Sequence, residues 1–425
     1  MSFVGVAFLI FIFLGLPIFV SLALTAVIGL GLTPGVPVAS VAARTVSATD
    51  NFVLLAIPLF ILAGSLMSTG GVAQRLFDLA RVLVGHVRGG LAQVNIALSV
   101  LNGGVSGSSA ADAAIDCKVI VPQMKAEGYP AAFSGAITAV SGMLANIIPP
   151  SIAMLVYASV ANTSVGKLFI AGFIPGIMMA LAMSFTAYGT CRKHNYGKQV
   201  PRATVGEIAT AFRRSTLALA IPVIVVGGIR FGLFTPTEAG AVAVAITFVL
   251  GMFVYRELKF ADLPGILTRT AVDTGVIMLI IAFSAPISLV LAYNQIPQQV
   301  AALFMQFAYS QVVFLVAVNV FLLIGGALME GVTLLILTTP LLAPVAAALK
   351  IDPTHFGMVV VFNVVLGSVT PPFGQLVFMV SSMSGVRAEQ IFREVMRYMP
   401  AMLLVLGIIT FVPESFMWMV RTFGP

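Results

Sequence analysis

Two Pro-Pro pairs, Pro149-Pro150 and Pro371-Pro372, each interrupt an otherwise apolar stretch, residues 131–161 and 356–383. Proline lacks a backbone N–H and denies the preceding turn its hydrogen bond. In water such a break is a local defect, whereas in hydrocarbon an unpaired polar group costs several kcal/mol. Composition puts these breaks in hydrocarbon. Of the 425 residues, 60% are apolar and 9% charged, about a third of the ~25% charged residues usual in soluble domains. That excludes a soluble fold. A spanning helix takes ~20 apolar residues plus a connection, so the length predicts roughly ten to fourteen membrane passes and no extramembrane domain.

Sliding the chain against itself by 222 positions lays one Pro-Pro pair on the other, and also Gly103-Gly104 on Gly325-Gly326, Pro122 on Pro344 and Gly135 on Gly357. The repeated unit is a helical hairpin followed by a broken helix. The hairpins are read over Leu91–Val121 and Val312–Leu349, interrupted at Asn102–Ser109 and at Gly325-Gly326, and a hairpin that enters and leaves by one face suits these interruptions better than one long helix. Further apolar segments run over Phe3–Leu32, bent at Pro17, and over Phe52–Met67, Leu168–Tyr188, Leu217–Phe234, Ala239–Tyr255, Ala271–Tyr293 and Met399–Met419. The first charged residue is Arg44, so the N-terminus lacks the basic region of a signal peptide and reads as a retained helix.

Connections rich in Lys and Arg stay cytoplasmic. With both hairpins re-entrant, 17 of the 22 basic residues fall on one side, and the two hairpins open from opposite faces. The expected fold is therefore an all-α polytopic membrane protein built from inverted repeats, each with a re-entrant hairpin and a Pro-Pro broken helix. Transporters of that architecture bind at the midplane, where broken helices meet. Domain boundaries follow: 1–50 an N-terminal scaffold helix and connection, 51–165 the first repeat, 166–260 scaffold helices, 261–385 the second repeat, and 386–425 an interfacial arm with a C-terminal helix.

Freed carbonyls at such breaks suit a hard cation such as Na⁺. Gly103, Gly104, Ser106 and Ser109 facing Ile148 and Pro149 make one expected cage. The repeat gives a twin, with Gly325, Gly326 and Met329 facing Gly367, Thr370 and Pro371. Helices restarting at Ser108, Ser151 and Phe373 point positive dipole ends inward, which favours a carboxylate. Together with these, Asn146, Pro150, Glu330 and Pro372 complete the expected substrate site.

Other residues admit plainer readings. Asp112 and Asp116 follow the first tip at helical spacing, either attracting ions or partnering a helix dipole. Glu330 is costly inside a membrane, which marks it as functional or as a buried acceptor. Arg230 and Glu238 read as an interface pair, and His86, His194 and His355 as surface residues. Gln74–Arg88 and Arg387–Arg397 read as interfacial arms. Cys117 and Cys191 offer neither a disulfide framework nor metal spacing, and sodium is the one metal expected.

Residues 103–112 (GGVSGSSAAD), 147–151 (IIPPS), 234–239 (FTPTEA) and 370–374 (TPPFG) together resemble the large membrane subunit of tripartite ATP-independent periplasmic (TRAP) transporters, over essentially the whole chain. That resemblance implies a sodium-coupled importer of the bacterial inner membrane working by an elevator movement. It also implies a periplasmic binding protein that delivers a C4-dicarboxylate, sialic acid or other sugar acid, and a separate four-helix membrane subunit. No cofactor is expected beyond Na⁺ as coupling ion, and no nucleic acid. A self-sufficient divalent-anion/sodium symporter is the alternative, but the Ser-Asn-Thr tips usual there are missing. An intramembrane enzyme fits worst: three scattered His supply no base beside a nucleophile and no metal cluster.

Overall fold

The computed structural model describes residues 6–424 other than 9, 12, 13, 32, 34–36, 199, 296, 297, 300, 301 and 303–309, and the described chain is helical throughout. Phe3 and Leu32, the ends of the first expected segment, lie outside the described residues; a turn at Leu14–Gly15 precedes the helix Ile18–Gly31, so the chain bends at Pro17. Among the described residues seven helices are long and apolar enough to cross a membrane, eight if the bent pair Ala388–Val395 and Met399–Phe411 counts as one. This corrects the ten to fourteen passes expected from length. The difference lies in the breaks, which spend apolar residues on short half-helices such as Ile152–Ala161 and Gln375–Ser384.

The 222-residue shift holds across the elements. Hairpin arms Gly90–Ser106 and Ser109–Val119 correspond to Gln311–Leu328 and Gly331–Ala348; broken-helix halves Ala131–Gly142 and Ile152–Ala161 correspond to Pro353–Gly367 and Gln375–Ser384. Both Pro-Pro bonds are cis. The return arms differ: the first stops at Val119 and restarts at Val121 with Pro122 in its first turn, whereas the second runs on through Pro340 and Pro344.

Each repeat lends its last half-helix to the other. Ile152–Ala161 packs on Gly331–Ala348 and Pro353–Gly367, and Gln375–Ser384 packs on Ser109–Val119 and Ala131–Gly142. Such exchange gives the bundle a pseudo-two-fold axis, and the outer helices obey it too. Pro236–Val249 lies on Ala56–Thr69, and Ile18–Gly31, its counterpart under the same shift, lies on Leu263–Tyr293. Val165–His194 packs on Gly90–Ser106, Pro353–Gly367 and Met399–Phe411, which places it with the hairpins and breaks rather than with the outer helices.

Several boundaries and pairings depart from the sequence reading. The segment expected at Leu217 starts at Val205, where Thr204 and Glu207 close a capping box, and ends at Arg230. The segment Met399–Met419 is cut at Val412-Pro413 into Met399–Phe411 and Glu414–Phe423. Arg230 and Glu238 do not pair. Arg230 donates to the Phe423 carbonyl at 3.0 Å and covers its ring, because the C-terminal helix folds back onto it, while Glu238 is taken up locally as the cap partner of Thr235. His355 is not a surface residue: it is buried, with a ring nitrogen 3.1 Å from the Ile409 carbonyl and Phe416 beside it. The arm helix Val72–Val84 does have an exposed polar face, with Gln74, Asp78 and Arg81, but its apolar face is buried on Gly90–Ser106 and Val205–Arg230. Its first turn is pinned by Arg75, which pairs with Glu257 at 2.7 Å and lies 3.6 Å over the Tyr255 ring.

Inside the bundle, buried amides tie each hairpin to its broken helix. Asn95 donates to Thr138 at 2.8 Å and accepts from Ser141 at 2.7 Å in the first repeat. In the second, Asn363 donates to Asn319 at 2.6 Å, and Asn319 to Thr410 at 3.0 Å. Positions 141 and 363 are related by the same shift. Removing one member leaves the others unpaired in a dry core, at about 1–3 kcal/mol per group. Asn363→Leu should therefore lower the thermal midpoint of the detergent-solubilised chain markedly, whereas Gln74→Ala, which removes an exposed bond to Asp78, should shift it little; equal midpoints would refute the assignment.

Candidate functional site

Close approach of tip and break is set by residues without side chains in the way. A Cβ on Gly103 would sit 2.9 Å from the Ala145 Cα, and one on Gly107 would meet the Pro150 carbonyl at 2.7 Å. In the second repeat the contact is between Gly326 and Gly367: a Cβ on Gly326 would lie 2.9 Å from the Gly367 Cα. Gly325, the residue the repeat points to, faces only the Leu334 side chain. Thus the close-approach glycine of the second tip is Gly326, because Gly367 replaces the Ala145 found in the first.

Backbone hydrogen bonds then tie each tip to its break. Ile152 N–H donates to the Gly107 carbonyl at 3.1 Å, and Phe373 N–H to the Ala327 carbonyl at 3.0 Å. Three of the restarted helices are capped by side chains, whereas Gln375–Ser384 begins at Gly374 without one. Ser108 accepts from Ala111 N–H, and Ser151 from Met154 N–H while its hydroxyl donates to the Asn146 carbonyl at 2.6 Å. Glu330 caps the second return arm, accepting from Val332 N–H, Thr333 N–H and the Thr333 hydroxyl. Its charge is thus held by a helix N-terminus.

The two tips differ in what they leave unpaired. Around the first, the Ser106 and Ser109 hydroxyls, the Asn102 side chain and the Asn146 Oδ1 are buried without a hydrogen-bond partner among the described residues. Asp112 is fully buried beside Ser99 and Asn102 with no well-formed bond to either, and Asp116 accepts from Ser99 at 3.0 Å. Buried polar atoms are normally paired, so this cluster has the donor set a hard cation takes up. Around the second tip the hydroxyls are used: Thr370 donates to the Leu366 carbonyl at 2.9 Å and Ser368 to Val365 at 2.6 Å. Ile148 and Pro149 are enclosed, whereas Thr370 and Pro371 are half-buried and Pro372 and Phe373 exposed.

A cavity of about 1040 Å³ lies between the hairpin-and-break body and the outer helices. Of the expected substrate residues, Ser108, Asn146 and Glu330 line it together with Ser106 and Ser109. Pro150 and Ser151 lie buried behind that wall, and Pro372 and Phe373 are outside it. The opposite wall was not legible in the sequence. It carries Ser65, Ser68 and Thr69 of Ala56–Thr69 and Arg269 and Asp273 of Leu263–Tyr293, and its one signal was a hydroxyl cluster in an apolar helix. Lys118 and Asp262 also line the cavity.

Residues 5–415 match the family described as the tripartite ATP-independent periplasmic transporter, DctM component. The chain is 38% identical over 376 residues, 88% of each chain, to the C4-dicarboxylate TRAP transporter large permease protein DctM of Pseudomonas aeruginosa. It is 35% identical to the sialic acid TRAP transporter large permease protein SiaM of Vibrio cholerae, covering 95% of this chain and 94% of that one. Among solved structures the fold resembles the Alcanivorax borkumensis YdaH transporter, with a TM-score of 0.64 at 13% identity over 89% of this chain and 88% of that one.

Overpacking a tight backbone contact typically costs about 1–3 kcal/mol, so Gly103→Val and Gly326→Val should release their tips. Cysteine labelling at Ser108 or at Met329, in a background free of Cys117 and Cys191, should speed up in the respective variants. Gly325→Ala should leave labelling unchanged, since the flexible Leu334 side chain can shift. Unchanged labelling in both valine variants would show that these glycines do not hold the tips.

Proposed function

Since this chain belongs to the TRAP transporter family as its DctM component, the large permease, we propose that it imports a small organic acid anion across the bacterial inner membrane, driven by sodium. Relatives set the substrate class: they are named for C4-dicarboxylates, sialic acid and 2,3-diketo-L-gulonate. Its partners are a periplasmic binding protein and a small membrane subunit. In some relatives, such as the Haemophilus influenzae sialic acid permease SiaT, the chain matches 66% of a longer protein.

The observation that carries sodium coupling is the unpaired polar cluster at the first tip. Ser106, Ser109, Asn102 and Asn146 would hold one ion there, with carbonyls near Gly103, Gly104, Ile148 and Pro149, and Asp112 would supply charge. Carbonyls near Gly325, Gly326, Met329 and Gly367, with Thr370 and Pro371, would hold a second. The ion ties a tip to a break, so hairpins and broken helices move as one body, an elevator, against Ala56–Thr69, Val205–Arg230, Pro236–Val249 and Leu263–Tyr293. Support for that division comes from packing: Val165–His194 and Met399–Phe411 are joined to the hairpins and ride with them, while the outer helices pack chiefly on each other. The re-entrant course of the hairpins belongs to the same reading, and the arm Val72–Val84 bridges the two bodies.

Reconstituted with its small subunit and binding protein, the chain should take up labelled acid only with an inward sodium gradient, and potassium in its place should abolish uptake. Ser106→Ala and Ser109→Ala should raise the sodium concentration for half-maximal uptake by about tenfold, one lost ligand being worth roughly 1–2 kcal/mol. Sodium-independent uptake would overturn the coupling. For the movement, cysteine labelling at Ser108 should change between sodium-loaded and sodium-free protein while labelling at Val205 stays constant; the reverse would refute the division.

A further inference from the structure

A second cavity, of about 300 Å³, lies away from the transport site, under the turn that joins the arm helix Val72–Val84 to the first hairpin. Two segments distant in sequence bring three cations to it: Arg81 from the arm, and Lys198 and Arg202 from the connection before Val205. None of the three has a carboxylate partner among the described residues. His86 adds a ring whose Nδ1 is buried without a hydrogen-bond partner. Two acids also line the cavity. Glu207 accepts from the Thr204 N–H and hydroxyl at 2.7 and 2.9 Å, both on one oxygen, and Glu127 is the other, so three cations face two carboxylates. The remaining wall is apolar, with Val82, Leu91, Val200 and Pro201.

We propose that this cavity binds the phosphate headgroup of an anionic phospholipid from the cytoplasmic leaflet. Charge alone would not say so, because basic connections are common on that face. Convergence does: cations from separate segments around one hollow, an unpaired buried imidazole nitrogen, and an apolar wall beside them fit a group that is a phosphate at one end and acyl chain at the other. A soluble phosphate would use the cations and leave Val200 and Pro201 without a role. The cavity touches both the arm and Gly85, Gly90 and Leu91 at the entry to the first hairpin, so a bound headgroup would pin the joint between them. This site stands whether or not the chain carries an acid.

The test uses the full chain in nanodiscs of phosphatidylcholine with a minority of phosphatidylglycerol, extracted and read by native mass spectrometry. The wild type should retain phosphatidylglycerol, and the pair Arg81→Gln with Arg202→Gln should retain about tenfold less or lower, each surface cation being worth roughly a fewfold in affinity. The pair Arg192→Gln with Lys193→Gln removes two cations from the last turn of Val165–His194, outside the cavity, and should leave retention unchanged. Equal retention by the Arg81/Arg202 variant overturns the site, and equal loss in the control pair reduces it to general surface charge. Thermal stabilisation by inorganic phosphate without phosphatidylglycerol retention overturns the lipid assignment in favour of a soluble anion. A melting curve of each variant in phosphatidylcholine alone confirms that it is folded.

Discussion

Backbone polarity in hydrocarbon governs this fold. A helix that stops away from water leaves N–H and C=O groups with no solvent to take them, and the chain stops inside the bundle four times, at two tips and two breaks. The answer is to put each tip against a break. Ile152 N–H on the Gly107 carbonyl and Phe373 N–H on the Ala327 carbonyl are the backbone bonds that make the arrangement possible. They require contact between main chains, which is why Gly103, Gly107, Gly326 and Gly367 sit where they do. The outer helices, which carry no such breaks, pack mostly by apolar surface and ask less of their sequence.

Because the pairing satisfies backbone but not every side chain, chemistry collects at the same places. Ser106, Ser109, Asn102 and Asn146 are buried by the approach of tip to break and left unpaired by it. The cavity forms where that polar seam meets the outer helices, so one wall is made of tip and break residues and the other of Ser65, Ser68 and Arg269. Unequal enclosure of the two breaks follows from their neighbours: the first is covered by Val165–His194 and the second is partly open.

What the sequence disclosed was whatever glycine and proline mark. Both hairpins, both breaks and their 222-residue spacing are written in residues whose backbone behaviour is nearly context-free. Features set by side-chain packing were hidden. Arg230 was assigned to Glu238 because they are close in the chain, yet the C-terminal helix folds back to offer the Phe423 carbonyl. His355, far in the chain from the other two histidines, reads as a surface residue, but the Glu414–Phe423 helix covers it. The amide ladders through Asn95 and Asn363 were available as amides in apolar helices, without any sign of which partners they would meet. The shift marks Gly325 and Gly326 alike, and only the Gly367 contact separates them.

The exchange of half-helices between repeats has a consequence for biogenesis. Ile152–Ala161 leaves the ribosome about 170 residues before Gly331–Ala348, the arm it packs on. At about 5–20 residues per second that is a wait of roughly 10–30 s. During this interval the first Pro-Pro break is synthesised, but the second repeat's covering elements do not yet exist. Its ten-residue half-helix is too short to span the bilayer alone. Something in the insertion machinery, or the shelter of the first hairpin and Val165–His194, must hold it at depth until the second half arrives. A chain truncated before Gly331 would therefore be an orphan for membrane quality control, and not a half-sized transporter.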